Sequence, residues 1–133
     1  MDKQKEINNK LGCTALVFLL IYISIMIGLA LIPGNNLQNT IVPTFSGILH
    51  FLEFFGLTII ASIAFALFDI KYFFSSLAGL IIFMSSLTEG IQYFVPGRVF
   101  SGADFIVNIF GGLTLILLML LGYILSARTE GPL

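Results

Sequence analysis

Residues 11–32 of this chain run without a single charged side chain. That is long enough for a helix to cross the hydrocarbon of a bilayer, which takes about 20 mostly apolar residues. Residues 46–68, 72–94 and 102–125 form three further apolar runs of that length, each interrupted by one carboxylate, Glu53, Glu89 and Asp104 in turn. In hydrocarbon there is no water to satisfy backbone N–H and C=O groups, so a segment of this sort must be helical. Composition agrees. Only 10% of residues are charged and 58% are hydrophobic, whereas a soluble domain carries about 25% charge. The sequence therefore predicts an all-α polytopic membrane protein, a four-transmembrane-helix bundle forming one domain over residues 1–133. The bilayer is its expected solvent and first partner. With a net charge of −1, it lacks the basic face that nucleic-acid binding requires, and no nucleic-acid partner is expected.

The connections are short, which predicts antiparallel neighbours. Pro33-Gly34-Asn35-Asn36 stops the first helix, Asp69-Ile70-Lys71 is a polar turn, and Val95-Pro96-Gly97 ends the third helix. Val95, preceding a proline, is expected outside the helix. The polar tail, residues 126–133, is expected to fray. Lys3, Lys5 and Lys10 precede the first run as they would a signal peptide. The run is longer than a signal's apolar region, so a retained helix is the better reading. Lys3, Lys5, Lys10, Lys71 and Arg128 fall on one side of the four spans and Arg98 alone on the other. The positive-inside rule then places both termini in the cytoplasm. Cys13 has no partner for a disulfide and no zinc spacing around it, and is expected as a small buried hydrophobe. Ser24 with Gly28, Ser75 with Gly79 and Asn108 with Gly112 have the spacing that lets membrane helices approach closely, which leaves room for a homo-oligomer. Tyr22, Tyr72, Tyr93 and Tyr123 are expected mostly at span ends.

Against this apolar background the polar residues stand out. His50 and Glu53 lie early in the second span, Glu89 and Gln92 late in the third, Asp104 and Asn108 early in the fourth, and Arg98 in the loop between. The alternation of spans sends all seven to one end of the bundle, the outer leaflet on the orientation above. His50 and Glu53 share a helix face. Ser85, Glu89 and Gln92 form one stripe, and Asp104, Asn108 and Gly111 or Gly112 another. A charged side chain at mid-membrane costs about 2.5–3.5 kcal/mol on insertion scales, so these stripes are expected to face inward or towards water.

Each of these residues has a bland reading beside a functional one. Glu89, Asp104 and His50 are the candidates for acid–base catalysis; the alternative for Glu89 is a carboxyl that glues helices together. Ser101-Gly102-Ala103-Asp104 is a capping pattern, so the Asp104 carboxylate either serves free amides at the helix start, acts at a site, or both. Arg98, Gln92, Asn108 and Glu53 are the candidates for ligand binding. Arg98 either anchors its loop, neutralises Glu89 or Asp104, or holds a phosphate or carboxylate together with the amides near Ser101 and Gly102. Gln92 either orients Glu89 or lies at the interface, and Asn108 bonds across helices or contacts a ligand. His50 and Glu53 read as a hydrogen-bonded pair able to carry a proton. One histidine among scattered carboxylates is thin for zinc, so no metal and no cofactor are expected.

The ordered set His50-Phe51-Leu52-Glu53-Phe54, Glu89-Gly90-Ile91-Gln92, Pro96-Gly97-Arg98, Ser101-Gly102-Ala103-Asp104, Asn108 and Gly111-Gly112 resembles the VanZ-like family over residues 46–112. That pattern is a histidine-phenylalanine start to one helix, then E-x-x-Q, an arginine, an aspartate and N-x-x-G. The resemblance implies a small bacterial membrane protein of the cell envelope. Through the family's namesake, it implies antibiotic resistance, lowered susceptibility to teicoplanin without a change in the peptidoglycan precursor. His50, Glu89, Gln92, Arg98, Asp104 and Asn108 fall on the pattern; Glu53 is added from helix spacing alone. The expected function is then an envelope protein with an outward-facing polar pocket for a lipid-linked or glycopeptide ligand. Two alternatives stand beside it, a membrane enzyme acting on a lipid-linked envelope substrate and a small transporter component. No nucleophile motif or phosphate loop names a reaction, and no ionisable residue lies in the inner halves of the spans.

Overall fold

A computed structural model describes residues 3–34 and 43–129. They contain four long helices: α1 Lys3–Ala30, α2 Pro43–Leu67, α3 Phe73–Tyr93 and α4 Gly102–Thr129. Each is long and apolar enough to cross a membrane, and the chain is an all-α four-helix bundle of the multi-pass membrane kind. The ends depart from expectation in two places. α1 begins at Lys3, well before its apolar run, because Lys and Gln are good helix formers and Glu6 pairs with Lys10 one turn on at 2.8 Å. α4 continues through Ser126 to Thr129 instead of fraying, with Arg128 in its last turn, where the helix dipole favours a cation. The rest of the expected polar tail and most of the first connection, residues 35–42, lie outside the described residues.

α2 is the hub. It packs along α1, α3 and α4, whereas α1 and α4 do not meet among the described residues. The core is Leu19 and Met26 from α1, Phe54, Leu57, Ala61 and Ala64 from α2, Leu77, Ile81 and Met84 from α3, and Ile116 from α4. Phe18, Phe83, Phe110 and Leu117 are exposed on the outside of the bundle, the surface that lipid covers. Cys13 is also exposed and not buried as expected. A weakly polar thiol loses little among acyl chains, so composition alone could not place it.

Lipid tails are as apolar as leucine, so helices in a bilayer associate through close packing and hydrogen bonds. Gly111 and Gly112 supply the packing. A Cβ on Gly111 would strike the backbone carbonyl of Phe51, and one on Gly112 would come within 2.6 Å of Ile81 Cδ1. The tandem thus seats α4 against both α2 and α3. Gly56 does the same for Tyr22, whose hydroxyl donates to the Glu53 carbonyl at 2.9 Å. Tyr22 is therefore not an interfacial residue but a half-buried strut from α1 to α2, while Tyr72, Tyr93 and Tyr123 are exposed. The other expected close approaches do not occur. Gly28 and Gly79 face open space, and Ser24 and Ser75 are exposed.

These contrasts give a direct test in detergent. Gly111→Val forces a branched side chain onto backbone and should destabilise the bundle by about 1–3 kcal/mol. Gly79→Ala fills open space on a helix and should be neutral or stabilising by up to about 1 kcal/mol. Thermal unfolding of the two variants beside the parent protein reads both.

Candidate functional site

α1 and α3 end, and α2 and α4 begin, at the same end of the bundle. The ends are tied by backbone. The Gly34 N–H donates to the Pro96 carbonyl at 3.2 Å, and a Cβ on Gly34 would strike the Gly97 carbonyl. Gly97 itself has φ 75°, a conformation that suits glycine. Val95 lies outside the helix, as its proline neighbour requires, and its N–H donates to the Gln92 carbonyl at 3.1 Å. Arg98 completes the tie by donating from Nε to the Ile32 carbonyl at 3.2 Å. It makes no ion pair with Glu53, Glu89 or Asp104 among the described residues, because the chain reversal at Gly97 turns it towards the end of α1.

The start of α4 is capped across two helices. Ser101 Oγ accepts from the Asp104 N–H at 3.1 Å, the forward half of a capping box. In a complete box the side chain of Asp104 would reach back to the Ser101 N–H. Here Glu89 of α3 takes that amide instead, through Oε2 at 3.2 Å. The Asp104 carboxylate accepts no hydrogen bond among the described residues, so it does not serve the helix start. Glu89 is fully buried, and its Oε1 has no hydrogen-bond partner. Asn108, one helical turn beyond Asp104, is also fully buried, with both Oδ1 and Nδ2 unpartnered among the described residues. Native proteins leave few such atoms, and a buried polar atom of this kind calls for a water, an ion or a ligand.

Beside these buried groups lies a cavity of about 460 Å³. His50, Glu53, Gln92, Arg98 and Asp104 all line it, with Met26 and Leu29 of α1 and Leu49 of α2 forming an apolar side. His50 Nδ1 stands 3.8 Å from Glu53 Oε2, an electrostatic pair longer than a hydrogen bond. Ligand atoms of His50, Glu89 and Asp104 all lie within 4.8 Å of one another. Of the seven residues picked out in the sequence, five line the cavity, while Glu89 and Asn108 are not among its lining residues.

Other contributors were not foreseen. Thr88 lines the cavity although its hydroxyl bonds back to Met84 and Ser85 carbonyls at 3.0 and 3.2 Å. The 4-3-4 spacing of Ile81, Ser85, Thr88 and Gln92, all buried, was a readable signal for it. The α1 wall had no signal, because apolar residues on one face look the same whether they meet lipid, core or ligand. No family model, no curated protein and no solved structure matches the chain.

The shared cap predicts a split between two substitutions at one position. Glu89→Gln keeps a carbonyl oxygen for the Ser101 N–H and should unfold within about 1 kcal/mol of the parent. Glu89→Leu leaves that N–H without its acceptor and should cost about 1–3 kcal/mol. Chemical unfolding in mild detergent separates them.

Proposed function

We propose that the protein is a VanZ-like component of the cell envelope, whose polar cavity opens at the outer leaflet and takes the head of an amphipathic, lipid-linked or glycopeptide ligand, lowering susceptibility to teicoplanin-type antibiotics. One observation carries the reading: a single cavity joins Arg98, Asp104, His50, Glu53 and Gln92 to an apolar wall of Met26, Leu29 and Leu49. Small-molecule sites commonly pair an apolar lining with a few convergent polar groups. A head bearing phosphate or carboxylate suits Arg98, whose Nε is engaged while its terminal nitrogens bond to no described residue. The lysines clustered on the opposite side of the spans favour an outward cavity. The ordered motif over residues 46–112 supports the envelope and the teicoplanin assignment.

A second reading, a membrane enzyme acting on a lipid-linked substrate, draws support from the unpartnered Oε1 of Glu89 beside the unengaged Asp104 carboxylate. In that reading one of these carboxyls moves a proton while Arg98 holds the anionic group.

Teicoplanin and vancomycin susceptibility in a sensitive Gram-positive host tests the proposal at matched membrane levels of each variant. The parent protein should raise the inhibitory concentration of teicoplanin at least fourfold over empty vector, and Arg98→Ala should abolish the gain. Loss of protection in Glu89→Gln, with ligand still retained in the purified variant, selects the enzyme. A parent protein that leaves both antibiotics unchanged overturns the resistance role.

A further inference from the structure

Behind the lining of the cavity, buried Glu89 of α3 lies beside His50 of α2 and Asp104 of α4, both of which line it. We propose that these three hold a divalent transition-metal ion of the zinc type, with the open side of its coordination shell facing the cavity. The proposal goes beyond ligand binding by the cavity and does not depend on what fills it.

Four features of the site support the assignment. The first is distance. Ligand atoms around a zinc-type ion with bonds of about 2.1 Å lie about 3–4 Å apart. The three side chains already offer atoms within 4.8 Å of one another, so a closure of about 1 Å completes the shell. His50 and Asp104 are only partly buried and can make that adjustment by side-chain rotation, while Glu89 is fixed. The second is the state of Glu89. One oxygen is spent on the Ser101 N–H, and the other is buried without a partner. The Asn108 amide is the other polar group beside this carboxylate and closes no hydrogen bond with it in geometry, so a cation would complete the surroundings of the remaining oxygen.

The third is Asp104. Its position in a capping pattern would engage the carboxylate at the helix start, yet Ser101 and Glu89 divide that work and leave Asp104 free. The fourth is Glu53. A metal-bound imidazole commonly pairs its other ring nitrogen with a carboxylate, which fixes the ring. Glu53 Oε2 faces His50 Nδ1 at 3.8 Å, one turn along α2, and so leaves Nε2 as the nitrogen for the ion. One imidazole and two carboxylates make a donor set suited to Zn²⁺ or Mn²⁺ rather than to Cu⁺, which prefers thiolates. Three protein ligands with an open position is the pattern of catalytic zinc sites, in which the ion polarises a bound oxygen or activates water.

The test uses the full chain purified in detergent with a histidine-free affinity tag, stripped with chelator and dialysed against Zn²⁺, Mn²⁺ or Co²⁺ in turn. Bound metal is counted by mass spectrometry, and Co²⁺ is followed by its visible absorption. The parent protein should retain about one ion per chain. His50→Ala and Asp104→Asn should each weaken binding at least tenfold without lowering the thermal stability of the stripped protein. Glu53→Gln should weaken it by about 10- to 100-fold, as loss of a partner behind a metal ligand does. Cys13→Ser should bind as the parent does. No retained ion in the parent, or retention undiminished in both His50→Ala and Asp104→Asn, overturns the proposal. Co-purified lipid is measured on the same samples. Lipid retained without metal leaves the cavity reading intact while the metal site fails, and metal without lipid does the reverse.

Discussion

The Glu89 carboxylate bonded to the Ser101 amide joins the end of α3 to the start of α4 within a stretch of chain that reverses direction. A helix start exposes amide groups that must find acceptors, and within the apolar part of a bilayer water supplies few. Placing the acceptor on the neighbouring helix meets this need and fixes the hairpin angle at the same time. The consequence reaches further, because the residue that would ordinarily complete the cap is released. Asp104 keeps its position in the first turn of α4 while its carboxylate is left to the cavity. One hydrogen bond thus converts a local capping pattern into a site that spans helices.

The glycine pair in α4 works with this bond. Gly111 and Gly112 bring the helix against the backbone of α2 and the Ile81 side chain of α3. The approach holds the first turns of α4 close enough for Asp104 and Asn108 to meet residues of two other helices. At the opposite end of the molecule, Gly12 of α1 packs on the ring of Phe68, where a Cβ would meet its Cζ at 3.1 Å. α2 therefore has a contact at each end and in the middle. It serves as the frame from which His50 and Glu53 project.

Much of this was legible from the chain alone, for definite reasons. Long, predominantly apolar runs located the four helices, since a helix satisfies every backbone group of such a segment within the bilayer. Alternation of direction, applied to His50, Glu89 and Asp104, predicted that residues far apart in sequence would meet at one end, and they do. Facing geometry was readable where polar residues marked a stripe. It was not readable where every face is apolar, which is why the Met26 and Leu29 wall, the lipid exposure of Cys13 and the open surroundings of Gly79 came only from the packing. The division of capping work between Ser101 and Glu89 was also hidden. A capping pattern is local, whereas the partner that altered it lies on another helix. Tyr22 misled for a related reason, because its hydroxyl finds a backbone carbonyl in mid-bundle and does not need the interface.

A long flexible side chain that is ordered only when a ligand arrives loses about 0.5–1.5 kcal/mol of the binding energy to that ordering. Here the Arg98 guanidinium is already steadied through Nε by the Ile32 carbonyl, and its loop is pinned by the Gly34 to Pro96 bond. Its terminal nitrogens keep their capacity to donate. Arg98 is thus restrained in advance, and an anionic head of the proposed kind would meet a preorganised partner and not one that must first be brought to order.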